Sequence, residues 1–266
     1  MMTGPYNGAM PDTAPNESYI RIDGDVKRGI ILLADHARNA LPARYGLLGL
    51  DPGQFSRHIA YDIGVEQVTA GLARALGCPA LLTLYSRLLI DANRGVDDPT
   101  LIMRISDGAI IPGNAAVDDK ERACRIAEFH RPYHAAITRE IDRALATGSP
   151  PALISIHSFT PRWRGVARPW HVGVLWDRDR RASGPLIAAF AALGDLVVGD
   201  NEPYSGALEG DTLNMHGTRR GLAHALIEIR QDLIAHKTGV DEWIERLVRV
   251  LEPILNEPML RRLAPV

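Results

Sequence analysis

No stretch of this chain approaches the roughly eighteen consecutive apolar residues that a membrane-spanning helix requires. Its start, MMTGPYNGAMPDTAPNESYI, lacks the basic opening and apolar core of a secretory signal. There is no excess of charge of one sign. Thirty Lys and Arg stand against 32 Asp and Glu, a formal net charge of -2, so nothing in the charge favours nucleic acid or an anionic membrane as a partner. Cysteine is scarce: Cys78 and Cys124 have no metal-type spacing and read as buried free thiols, not a disulfide. Internal repeats and low-complexity tracts are missing too. These absences leave a cytoplasmic globular enzyme as the default class.

What is present suits one large α/β domain. The 266 residues are 46% hydrophobic and 23% charged, an ordinary globular composition. Residues 1–20, rich in Gly, Pro and polar side chains, read as a flexible arm. Residues 21–266 read as a single catalytic domain. Within it, apolar runs of strand length alternate with helical patterns. The runs are GIILLADH (29–36), PALLTLYS (79–86), PALISIHS (151–158), HVGVLWD (171–177), DLVVGD (195–200) and HALIEIRQ (224–231). Near-continuous apolarity over such lengths marks strands covered on both faces. Helical spacing appears over 54–76 (Phe55, Ile59, Ile63, Val65, Val68, Leu72), over 118–146 with a break near Pro132, and in DEWIERLVRVLEPIL. The alternation implies a mostly parallel central sheet with helices on both faces.

In such sheets ligands gather beyond the carboxyl ends of the strands. Those ends carry His36, Ser86-Arg87, His157-Ser158, Asp177, Asn201-Glu202 and Glu228. A lone strand-end histidine is usually a hydrogen-bonded structural residue; two of them, His36 and His157, make a zinc pair worth testing, since catalytic zinc takes three protein ligands and leaves a position open. Asp62 is the first choice for the third ligand and His58 its competitor; Asp35 and Asn39, which flank His36, stay open. His130 and His134 also have metal-binding i, i+4 spacing, but HRPYH lacks the glutamate of a zincin and contains Pro132, so packing or contact with the site is the plainer role. Strand alternation points Glu228 opposite to Ile227 and Ile229. It is either a buried partner of Arg230 or Arg94, or a base acting on water at the metal.

The chain from about Gly29 to Leu233 resembles the N-formylglutamate amidohydrolase family. The likeness rests on ADHARNALP (34–42), HIAYDIG (58–64), SRLLIDANR (86–94), FHRPYH (129–134), SIHSFTP (155–161), NEPYSG (201–206) and the segment around RGLAHALIEIRQDL (220–233). It implies an α/β fold of the zinc-peptidase type and a zinc-dependent amidohydrolase acting on C–N bonds other than peptide bonds. A more distant similarity to zinc carboxypeptidases implies that Asn93 and Arg94 grip a substrate carboxylate, that His157 is a ligand and that Glu228 is the catalytic base. One departure matters: those enzymes carry a glutamate three residues after the first histidine, where this chain has Asn39.

The resulting expectation is one Zn²⁺ per chain on His36, Asp62 and His157, with Co²⁺ as a compatible substitute. Arg87 would stabilise the oxyanion or the substrate carboxylate, and Tyr204 and His216 would line the substrate site. Arg162, Trp163 and Arg164 would form a lid or a solvated loop. The expected ligand is a small acidic N-acyl amino acid; homo-oligomerisation stays open. Hydrolases of another N-acyl amino acid, a small peptide or a cyclic amide are the near alternatives, and a carboxylate-binding relative without metal the distant one.

Overall fold

A computed structural model describes residues 18–265. Six strands form where the apolar runs fall, and a seventh precedes them. They are β1 (Tyr19–Ile22), β2 (Ile30–Ala34), β3 (Ala80–Thr83), β4 (Ala152–Phe159), β5 (Val172–Leu175), β6 (Val198–Asp200) and β7 (His224–Arg230). Their order across the sheet is β1-β3-β2-β4-β7-β5-β6. The pairs β3–β2, β2–β4, β4–β7 and β5–β6 are parallel, while β1–β3 and β7–β5 are antiparallel. The sheet is therefore mostly parallel. Tyr19 and Ile20, counted above with the arm, already pair with Thr83 and Leu82. Residues 1–17 of that arm lie outside the described residues.

Alternation along the central strands sorts the core into two layers. Ile30, Leu32, Ile154, Ile156 and Ile227 face α1 (Val65–Leu76) and the amphipathic α6 (Lys237–Ile254). Ile31, Leu33, Leu153 and Leu226 face Tyr133, Ile137 and Ile141 of α3 (Arg131–Leu145). The same parity puts Asp35, Ser155, His157 and Glu228 on the α3 side. The break expected near Pro132 is a π turn over Ile126–His130, between α2 (Asp119–Arg125) and α3. Outside the expected helices lie a single helical turn at Pro112–Ala115, α4 (Ser183–Ala192) and α5 (Thr212–His216).

Two expectations need correction. The helix predicted over 54–76 begins only at Val65; residues 52–56 form a short 3-10 turn and Asp62 sits on the loop that follows. Gly64 explains the stop. Its φ is 82°, in the left-handed region, and a Cβ there would lie 2.2 Å from the Ile234 carbonyl oxygen. Both cysteines are free, but only Cys78 is buried; Cys124 is half-buried, with Sγ 3.0 Å from Glu128 Oε1. No helix among the described residues is long and apolar enough to cross a membrane.

Candidate metal centre and its surroundings

Beyond the end of β2 the chain places two polar side chains in opposite directions. Asp35 is buried on the α3 side, where its carboxylate accepts from Tyr133 Oη (2.9 Å), Ser155 Oγ (3.0 Å) and Thr212 Oγ1 (2.8 Å). His36 turns toward the loop 57–64, which is held in place because Asp62 N donates to the His36 carbonyl (2.9 Å). Asp62 Oδ2 consequently lies 2.8 Å from His157 Nδ1 and 3.4 Å from His36 Nδ1. The two imidazoles meet edge to face, centroids 4.9 Å apart. One donor atom from each of His36, Asp62 and His157 falls within 4.8 Å of the others, and all three residues are buried. Among the described residues no other group of His, Cys, Asp and Glu meets that criterion.

The donor set fits a divalent metal. Each histidine turns Nε2 away from the centre toward an aspartate: His36 to Asp91 Oδ1 (2.7 Å), His157 to Asp35 Oδ2 (3.2 Å). A carboxylate behind Nε2 fixes the proton there and turns the Nδ1 lone pair inward, the arrangement metal-ligating histidines commonly have. His36 Nδ1 is buried with no hydrogen-bond partner, a state that costs about 1–3 kcal/mol if nothing fills it.

Charge leads the same way. Burial alone would raise Asp62 and Asp91, yet the neighbouring imidazoles, with Arg87 beside Asp91, hold both carboxyls well below the ordinary range; hydrogen bonding and charge from His157 do the same against burial for Asp35. Arg87 reaches this group with Nη1 3.3 Å from Asp62 Oδ1 and Nη2 3.2 Å from Asp91 Oδ2, and Arg94 stands further off, its Nε 4.0 Å from Asp91 Oδ2. Three ionised aspartates against Arg87 and the more distant Arg94 still leave a negative surplus that a cation would neutralise. In the metal-free protein His157 takes part of that load. Burial lowers its basicity, but hydrogen bonds to Asp35 and Asp62 push it well above its usual value.

Glu228 stands on β7 directly across from His157 on β4 and from Gly173 on β5. The arginine pairing considered from sequence does not form: Arg230 binds Asp232 (2.8 Å), and Glu228 Oε2 is buried without a hydrogen-bond partner. Burial above all, with Asp62 adding to it, pushes the Glu228 carboxyl up to about 7 despite the opposing His157 and His36. Gly173 keeps this side of the sheet open to the chain beyond β6, because a Cβ there would lie 1.9 Å from the Glu202 carbonyl oxygen. Tyr204 follows, 44% exposed, with the Arg168 guanidinium 5.0 Å over its ring. Arg168 also lies 5.5 Å from the ring of Trp163. The hairpin 162–167 is thus tied to Tyr204 through a cation that sequence reasoning did not single out.

Asn93 and Arg94 sit on a turn that the Asp91 carboxylate organises by accepting from Asn93 N (2.9 Å). Thr212 N donates to Asn93 Oδ1 (3.1 Å), which leaves the Asn93 Nδ2 donor for a ligand. The Arg94 side chain is 28% exposed, and its Nε lies 4.0 Å from Asp91 Oδ2. Asp91 itself was overlooked; the available signal was a carboxylate inside the apolar run LLIDA, where a buried charge demands partners.

Two residues singled out in the sequence are held elsewhere. His216, expected to line the substrate site, is buried, with Nε2 2.9 Å from His134 Nδ1, because the end of α5 faces α3. Asn39 lies at the surface and donates to the Phe55 carbonyl (2.7 Å), away from the metal group. His58 also stands apart, its Nε2 3.7 Å from Asp107 Oδ2 on the hairpin 105–110. Asp62→Ala is therefore expected to lower Zn²⁺ affinity sharply and His58→Ala to leave it near the parent value, as read by competition with a chelating dye; the reverse ranking would transfer the third ligand to His58.

A family model described as N-formylglutamate amidohydrolase matches residues 28–235, a span holding His36, Asp62, Asp91, His157 and Glu228. Among solved structures, a gene product from Agrobacterium tumefaciens is 30% identical over 90% of this chain and 95% of that one, with a TM-score of 0.84. An N-formylglutamate amidohydrolase from Ralstonia eutropha JMP134 is 20% identical over 89% of this chain and 97% of that one, with a TM-score of 0.63, a likeness of fold. The search of curated proteins returned no match.

Proposed function

The chain belongs to the N-formylglutamate amidohydrolase family, and from that premise we propose that it hydrolyses the amide of an acidic N-acyl amino acid such as N-formylglutamate, with one Zn²⁺ held by His36, Asp62 and His157. The observation that carries this reading is the unpartnered, buried Glu228 carboxylate beside a His–Asp–His group. When bound, the zinc ion supplies Lewis acidity, polarising the acyl carbonyl and making water easier to deprotonate. Glu228 accepts the proton of the attacking water. As the C–N bond breaks, it returns that proton to the departing nitrogen. Arg87 contributes fixed positive charge beside Asp62, where negative charge builds on the former carbonyl oxygen. Asn93 Nδ2 and the Arg94 guanidinium bind the substrate carboxylate, and Tyr204 with Arg168 borders the entrance. The products are a small carboxylic acid and a free amino acid. Family membership fixes the bond class more firmly than the acyl group.

Zinc-loaded protein is expected to release formate from N-formylglutamate; absence of turnover on every acidic N-acyl amino acid tried would defeat the proposal. Arg94→Ala tests the carboxylate contact separately. It should remove about 2–5 kcal/mol of transition-state binding for substrates with a free carboxylate, the usual consequence of truncating one partner of a charge pair. The corresponding amides should be poor substrates of the parent and little changed in the variant. Equal losses on both would make Arg94 a structural residue.

A further inference from the structure

We propose that His134, backed by His216 and flanked by His130, is a positioning residue that sets the Asn93–Arg94 turn for the substrate carboxylate. The inference rests on the reading of Asn93 and Arg94 given above. The π turn at Ile126–His130 brings the rings of His130 and His134 to 4.2 Å between centroids, both directed at that turn. His134 Nε2 is 3.0 Å from the Ala92 carbonyl oxygen and His130 Nε2 2.9 Å from that of Arg94. A carbonyl oxygen only accepts, so both Nε2 atoms carry hydrogen. His134 Nδ1 is then a bare acceptor. His216 Nε2, 2.9 Å away with its ring stacked at 12°, supplies the donor. The protons accordingly run one way, from His216 to His134 to the Ala92 carbonyl.

This arrangement requires a neutral His134, and burial provides it, lowering His134 to about 3 and His216 to about 4. The carbonyls on either side of Asn93 are thus gripped from α3 and from the π turn that precedes it. From α5, Thr212 N holds Asn93 Oδ1, and Thr212 Oγ1 donates to Asp35. What these contacts leave uncommitted on the turn is the pair of groups that would meet a carboxylate, Asn93 Nδ2 and the outer nitrogens of Arg94. An apolar side chain at 134 would pack as well but would leave the Ala92 carbonyl only Thr212 Oγ1, 3.4 Å away and closer to Asp35; the turn could then drift, and a displacement of about 1 Å is enough to spoil a bidentate contact.

The test compares N-formylglutamate with its α-amide on zinc-loaded enzyme. His134→Leu should reduce the preference for the free carboxylate, taken as the ratio of the two kcat/KM values, by roughly tenfold, the scale of one net hydrogen bond. The loss should appear as a raised KM for the carboxylate substrate, with zinc content unchanged. His134→Gln, whose amide can donate near the Nε2 position, should restore most of the preference. Added to Arg94→Ala, His134→Leu should reduce it little further, because both changes act on one contact. If the leucine variant fails to fold, His134→Asn replaces it, keeping an acceptor for His216 but losing the donor to Ala92. Equal losses on both substrates, full additivity with Arg94→Ala, or an intact preference in the Leu or Asn variant would overturn the inference. Arg94→Ala that keeps the preference would instead defeat the carboxylate reading beneath it.

Discussion

Glu228→Gln is expected to lower kcat by about 10²–10⁴, the contribution of a positioned acid–base group, while zinc stays bound and the fold persists. Glutamine keeps the shape that fits between His157 and Gly173 but has no basic oxygen. The substrate contact at Asn93 and Arg94 is untouched, so KM should move little. The metal-free protein gives a second readout with a definite sign. Burial raises the Glu228 carboxyl from an ordinary value of 4.5 to about 7. Between those values the folded state holds more protons than the unfolded one, so stability falls as pH rises through that window. Glutamine cannot ionise and escapes that loss. At pH 8 the metal-free variant should melt no lower than the metal-free parent. Release of zinc on this substitution would make Glu228 a ligand; a lowered melting temperature with high residual activity would make it a structural partner.

His157→Ala should abolish stoichiometric zinc, taking the protein from about one ion per chain to none. The loss is larger than a missing ligand alone explains, since the same ring spans Asp62 on one side and Asp35 on the other. Without it two buried carboxylates lose their shared partner. Zinc loading of the parent at pH 7 should also release protons, because His157 must surrender its Nδ1 hydrogen to become a ligand. An indicator in weakly buffered solution would record the release, and mass spectrometry under native conditions the stoichiometry. Asp91→Asn, which leaves all three residues of the metal group in place but weakens the support behind His36, should cost about 10–100-fold in metal affinity. Full zinc retention in His157→Ala would exclude the assignment.

The sheet and two of its polar ends were legible for a simple reason. Strands buried on both faces are written as near-continuous apolar runs, and parity along LIEIR turns Glu228 away from its isoleucine neighbours. Asp62 was reached by the wrong route. Phe55 and Ile59 have helical spacing, but they are buried in a small separate core with Leu48, Leu88 and Ile111, where a loop satisfies the same pattern. The partners behind the histidines were harder to read. Asp91 and His36 are 55 positions apart, and His134 and His216 are 82 apart; no local period encodes a contact that exists only after the sheet has brought the segments together. Asn39 stands where related enzymes carry a glutamate, and Asp62 on the neighbouring loop is the carboxylate that lies beside the two histidines.

The parallel register between β4 and β7 limits how such an enzyme can be redesigned. His157 and Glu228 face each other on one rung of the ladder, and a slip of one residue in either strand would send its side chain to the opposite face. Their separation is therefore a property of the sheet and is closed to gradual adjustment. Retuning toward another amino acid has to be sought where the backbone is free to vary, in the turn at 93–95, the hairpin at 162–167 and the segment 201–206. A library confined to those three stretches would sample new substrates without disturbing Glu228 or His157.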